Sequence, residues 1–208
     1  GAKLPAGSWA TGGSLNTGRE YIAGIGIQTA ALAATGTTST ASIDSVESYD
    51  GSSWTEIADT NTTRGTASLN GDGTQTAGLV VGGSPSPHTA TTESFNGTSW
   101  TEVADLNTSR ERLTGCGTST AALSIDGATV PGAGAIQRTE QWNGSSWTEV
   151  ADTSTVHYWG AAFGNTANAL VAGSYPAATH TDEWNGTAWA EAAAFSTSRV
   201  LHNAGTGG

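Results

Sequence analysis

One phrase recurs five times along this chain, and no other feature restricts its folding as much. The copies read AGSWATGGSLNTGR, DGSSWTEIADTNTTR, NGTSWTEVADLNTSR, NGSSWTEVADTSTVH and NGTAWAEAAAFSTSR, anchored on Trp9, Trp54, Trp100, Trp147 and Trp189. Neighbouring anchors lie 45, 46, 47 and 42 residues apart. A fixed period of this size belongs to one supersecondary unit repeated in a stack or a ring, because a single unit cannot bury its apolar face alone. The 208 residues are therefore read as one domain with a continuous core.

Between Trp54 and Trp100 the order is a polar turn (ADTNTTR), two apolar stretches (GTASLNG and TAGLVVGG), a loop (SPSPHTATT) and then ESFNGTSW. Thr, Ser, Gly and Ala dominate and charged residues make up only 12%, a composition that suits short strands and tight turns better than helices. Four antiparallel strands in one such period are the blade of a β-propeller. The expected fold is all-β, with blades over approximately 19–56, 64–102, 110–149 and 157–191 and terminal strands over 5–13 and 199–208. Two closures are open: more repeats beyond these residues, or a four-bladed ring with the terminal strands as additions. The first is favoured, because four-bladed rings are the less common.

The Asp-Gly or Asn-Gly pairs at Asp50, Asn96, Asn143 and Asn185 predict type I′ hairpins between the third and fourth strands. The tryptophans that follow are expected to pack between blades. Leu32, Leu79, Leu123 and Leu170 share one slot and are expected in the core, and the lone Cys116 is expected to be a small buried apolar residue. One cysteine excludes a disulfide framework and a thiolate zinc cluster.

Function is less constrained. Seven basic residues against 18 acidic ones give a net charge of −11, which repels nucleic acid and anionic membrane surfaces. No apolar run approaches the ~18 residues of a membrane span. The loops between second and third strands (ATGTTSTAS, GGSPSPHTATT, DGATVPGAGAIQR, GSYPAATHT) vary most, and an up-and-down blade puts them on the same face as the connections between blades. Variable loops on a rigid scaffold are where binding usually resides. The candidates there are His88, Arg138, Tyr158, Trp159, Tyr175 and His180.

Residues that recur in every repeat read instead as scaffold. Arg19, Arg64, Arg110 and Arg199 are expected to pair with a repeated carboxylate, and Glu47, Glu93, Glu140 and Glu183 supply one per third strand. Asp59, Asp105 and Asp152 read as turn formers. Histidine spacing suggests no metal site, no cofactor motif is present, and neither a GxSxG elbow nor a phosphate-binding loop occurs. Asn61, Asn96, Asn107, Asn143 and Asn185 open glycosylation sequons, three of which coincide with the hairpin pairs and are explained by turn chemistry.

The pattern of a glycine pair ending the second strand, an aromatic on the third, a tryptophan on the fourth and a basic residue opening the next blade resembles the kelch family. Gly82, Gly83, Phe95, Trp100 and Arg110 carry it most fully. The phrase N-G-[ST]-[SA]-W-[TA]-E is similar to kelch-like repeats in structural proteins of tailed, especially marine, phages. That resemblance implies a non-enzymatic structural or adhesion module on a virion or extracellular assembly. It would be present in many copies and touch host glycan or partner proteins. The alternative is a secreted propeller glycosidase, followed by an intracellular kelch adaptor.

Overall fold

The computed structural model describes residues 11–70, 74–84, 88–129, 134–157, 159–174 and 179–197. Trp9, Tyr158, Tyr175 and Arg199 lie outside them, as do most of the two expected terminal strands; residues 11–13 form no strand. The described residues form sixteen strands and no helix. Blade 1 holds β1 (Ala23–Ile27), β2 (Ala30–Ala34), β3 (Val46–Tyr49) and β4 (Trp54–Glu56). Blade 2 holds β5 (Ser68–Asn70), β6 (Gly78–Val81), β7 (Thr92–Phe95) and β8 (Trp100–Val103). Blade 3 holds β9 (Thr114–Thr118), β10 (Ala121–Ile125), β11 (Thr139–Trp142) and β12 (Trp147–Glu149). Blade 4 holds β13 (Ala161–Gly164), β14 (Ala169–Ala172), β15 (Thr181–Trp184) and β16 (Trp189–Glu191). Each sheet is antiparallel with its strands in chain order, and the four sheets form a ring, a four-bladed β-propeller.

Alternation along the strands gives every blade an aliphatic face and an aromatic face. On the aromatic face a third-strand ring lies directly opposite the repeated tryptophan: Phe95 with Trp100 at 4.9 Å between centroids, Trp142 with Trp147 at 5.3 Å. That pair packs on the aliphatic face of the preceding blade. Ile25, Leu32 and Val46 of blade 1 thus meet Val80, Phe95 and Trp100 of blade 2. Leu79 and Val81 meet Trp142 and Trp147, and Leu123 and Ile125 meet Val171 and Trp184. The indole N–H groups are also satisfied across the seams: Trp100 donates to the Ala58 carbonyl, and Trp147 and Trp189 donate to the Thr92 and Thr139 hydroxyls, all at 3.1 Å.

The seam between blades 4 and 1 differs. Leu32, Leu79 and Leu123 are at most 1% exposed, but Leu170, in the same slot, is only half-buried and its neighbour Phe163 is 36% exposed. This corrects the expectation that all four leucines are core. Among the described residues no aromatic face closes over blade 4 as one does over the other three, and a cleft of about 380 Å³ lined by Phe163, Leu170 and Glu183 opens there. Cys116 is buried, as expected of a small apolar residue.

The strand-three to strand-four hairpins are not type I′. Tyr49 pairs with Trp54, which leaves a four-residue loop, and only the glycine has positive φ: 94° at Gly51, Gly97 and Gly144, 95° at Gly186. The residue before it acts through its side chain. Asn96 Oδ1 accepts the N–H of Thr98 and of Ser99, both at 2.9 Å, and Asp50 does the same for Ser52 and Ser53 at 2.8 Å. The Ser53 and Ser52 N–H groups hold the Asp50 carboxyl down at about 2. A side-chain acceptor thus replaces the second left-handed residue that a type I′ turn requires.

Candidate functional site

The recurring buried charges belong to the scaffold. Each blade is locked to the connection that enters it by one buried carboxylate. In blade 2, Glu93 accepts the Asn61 N–H, the Asn61 side-chain amide at 2.8 Å and the Thr62 N–H at 3.0 Å, and it pairs with Arg64. The same guanidinium donates to the carbonyls of Gly82 (3.2 Å) and Thr91 (2.7 Å). Blade 1 repeats the arrangement with Glu47, Asn16, Thr17 and Arg19, and blade 3 with Glu140, Asn107 and Arg110. Burial pulls the Arg64 and Arg110 guanidiniums below their ordinary value, against the attraction of Glu93 and Glu140. Burial raises Glu47, but the hydrogen bonds from Asn16 and Thr17, with Arg19, outweigh it and leave the group below its ordinary value.

Blade 4 builds this latch from other residues. Asp182, not Glu183, occupies the slot of Glu47, Glu93 and Glu140; it pairs with Val171 as Glu93 pairs with Val80. Glu183 lies one residue on and points to the opposite, exposed face. Asp182 accepts His157 Nε2 at 3.0 Å and the Ser154 N–H at 3.1 Å, and the Ser154 hydroxyl also donates to it. His157 Nδ1 meets the Gly173 carbonyl at 3.1 Å. A shorter acid, a shorter base and a serine for the asparagine close the same gap.

The arginines recurring within the described repeats are therefore committed to the scaffold, as expected. Asp59, Asp105 and Asp152 reach back to the N–H groups of Val46, Thr92 and Thr139 at 3.3–3.4 Å and so tie each outer strand to its blade. Asn61 and Asn107 are occupied by the latch, and Asn96, Asn143 and Asn185 by the hairpins.

Two residues beyond each latch base, the chain turns toward the ring axis at Tyr21, Thr66, Arg112 and Trp159. All four have positive φ, at 54°, 48°, 57° and 57°. None is glycine, and for bulky side chains this is a strained conformation worth of order 1–3 kcal/mol each. Backbone hydrogen bonds link them around the axis: Arg112 N–H donates to the Thr66 carbonyl and Trp159 N–H to the Arg112 carbonyl, both at 3.0 Å. Tyr21 and Trp159 lie with planes 6° apart and centroids 6.3 Å apart, joining blades 1 and 4 at the axis. The Arg112 guanidinium sits 4.7 Å from the centre of a Trp159 ring.

Glu111 lies beneath this quartet. It is buried, faces Arg112 Nε at 3.1 Å and accepts the Thr66 hydroxyl at 3.1 Å. His88 Nδ1 stands 3.9 Å from the same carboxylate, and neither ring nitrogen of this buried imidazole has a hydrogen-bond partner among the described residues. The Glu111 to Ala128 and Gly65 to Ser84 bridges put the cluster on the variable-loop face.

Of the candidates read from the sequence, Trp159 and His88 come together here, through Glu111 and Arg112. Arg138 and His180 do not. Arg138 reaches Thr108 and Glu149, each at 3.0 Å, and His180 faces Glu191 at 3.7 Å, on the outer parts of blades 3 and 4. Tyr158 and Tyr175 lie outside the described residues. Sequence reasoning missed Tyr21, Thr66, Glu111 and Arg112. The available signal was a repeat slot, two after the latch base, whose residue type changes in every copy. No group of three or more potential metal ligands occurs among the described residues. Neither a protein-family model nor a curated protein sequence matches the chain, so a functional reading rests on this cluster and on the repeat.

Proposed function

We propose that the protein is a non-enzymatic structural or adhesion module of a virion or extracellular assembly, which presents its axial, variable-loop face to host glycan or a partner protein. The observation that carries this reading is the axial quartet. Four equivalent backbone positions, each held in the same unfavourable conformation by the scaffold, bear four different side chains: Tyr, Thr, Arg and Trp. Maintaining the blade requires an equivalent acid–base pair, which every latch keeps, whereas a recognition surface requires difference. Aromatic and arginine side chains together are also the types that dominate binding surfaces.

The similarity of the repeats to kelch-like repeats of tailed-phage structural proteins supports a place on a virion, where many copies would turn weak single contacts into avidity. A glycosidase needs two carboxylates facing one another across the sugar. Beneath the quartet Glu111 is engaged by Arg112 and Thr66, which favours binding over hydrolysis. A cryo-EM reconstruction of the native assembly tests the reading. Axial faces pointing outward at a tail tip or fibre end are expected; axial faces buried against a repeating lattice would replace adhesion by a cementing role.

A further inference from the structure

We propose that the axial mouth is a seat for a neutral pyranose ring, stacked on Tyr21 with its hydroxyls directed to Arg112 and Glu111. The inference deepens the adhesion reading and rests on it for biological meaning, though its chemistry stands on the cluster itself. Tyr21 is 42% exposed, the largest solvent-facing aromatic of the quartet, and its plane is set by the near-parallel Trp159. Trp159 is in turn steadied by the Arg112 guanidinium. A flat aromatic face carries the negative lobe of its quadrupole, which attracts the positively polarised axial C–H groups on one side of a pyranose. The ring is thus held rigid before any ligand arrives, which reduces the ordering cost of binding.

Polar groups lie where the sugar edge would fall. Glu111 is an acceptor, and Arg112 and Thr66 are donors around it. His88 is the independent indication of a missing partner. An imidazole buried beside Glu111 with no hydrogen-bond partner for either nitrogen among the described residues is costly, and a sugar hydroxyl that reaches His88 as well as Glu111 supplies that bond. Charge selects against an acidic sugar. The one guanidinium of the quartet already faces a carboxylate at 3.1 Å, and the chain as a whole carries −11.

Saturation-transfer NMR on the whole protein is the test, with the methyl glycosides of glucose, galactose, mannose and N-acetylglucosamine as probes and N-acetylneuraminic acid for comparison. At least one neutral glycoside should show transfer concentrated on its axial protons. Tyr21→Ala should weaken its binding at least tenfold, Tyr21→Phe should retain it, and Phe163→Ser, on the open face of blade 4, should leave it unchanged. The proposal is overturned if no neutral glycoside binds, if Tyr21→Ala binds as well as the parent, or if N-acetylneuraminic acid is preferred. Adhesion of the intact assembly to host cells separates the two ideas. Undiminished adhesion by Tyr21→Ala assemblies, together with unchanged saturation transfer, removes the sugar seat and leaves adhesion standing. Saturation transfer lost in Tyr21→Ala, from a face that the assembly buries, does the reverse.

Discussion

Blades 2 and 4 perform the same structural task with different chemistry. In blade 2 a long, permanently charged arginine spans from Glu93 to two carbonyls, and an asparagine ties the same carboxylate to the outer strand through the Trp100 carbonyl. In blade 4 His157 reaches one carbonyl and the shorter Asp182, with Ser154 in place of the asparagine. Blade 2 is also covered on both faces, while the aliphatic face of blade 4 opens to solvent at Phe163 and Leu170. A repeat tolerates substitution when acid, base and amide change together, and it tolerates polar or exposed residues where no neighbour packs.

The largest difference between the blades is expected from breaking the latches. Arg64→Ala removes the permanent counter-charge of a fully buried Glu93, which keeps only its Asn61 and Thr62 donors, and leaves two carbonyls without a partner; it should cost about 3–5 kcal/mol in denaturant unfolding. His157→Ala should cost less, about 2 kcal/mol, because one carbonyl rather than two loses its partner, while Asp182, like Glu93, keeps its N–H donors. Equal losses would refute the ranking.

Truncation of the core leucines should follow the seams. Leu79→Ala, within a closed seam, is expected to lose roughly 2–5 kcal/mol, while Leu170→Ala should lose under about 1.5 kcal/mol. A Leu170→Ala variant as damaged as Leu79→Ala would mean that the seam between blades 4 and 1 is packed in solution.

Between blades 3 and 4, Asp126 offers a comparison by pH. Burial pushes its carboxyl up to about 6 from 3.8, against the pull of the His157 N–H and the Thr153 hydroxyl. A folded-state value above the unfolded one means the native state holds the extra proton. The Asp126 contribution to stability is therefore most favourable below about pH 4, declines as pH rises to about 6 and is then flat. Asp126→Asn, which suits the residue's φ of 54°, should remove that slope. The stability difference between parent and variant should change by about 2 kcal/mol between pH 4 and 7. A pH-independent difference would place the carboxyl at its ordinary value.

The smallest effect should come from rewriting blade 4 as blade 2. Asp182→Glu alone overfills a fitted site and should cost about 1–3 kcal/mol. Combined with His157→Arg and Ser154→Asn it should recover to within about 1 kcal/mol of the parent, measured by the same unfolding curves.

Much of this was legible in the residues. The period announced the blades, the tryptophans their seams, and the recurring Arg and Glu their ion pairs. Reading failed where spacing had to be counted against the pleat. Glu183 is an acid near the right place, but alternation puts Asp182 on the latch side, two residues before Trp184 just as Glu93 precedes Phe95. The hairpins misled for another reason. Asn-Gly suits a type I′ turn, but the same asparagine can cap a longer loop with its side chain, and the following Ser or Thr residues fill it.

The sequence by itself determined the number of strands per unit and the buried Arg–Glu pairs of blades 1 to 3, because these are local periodicities repeated from copy to copy. Only the tertiary structure decided which of those copies meet a neighbour on both sides and which side chains converge on the axis. Tyr21, Thr66, Arg112 and Trp159 are roughly one repeat apart along the chain, and a slot filled by four different residues carries no pattern until the ring brings its members together.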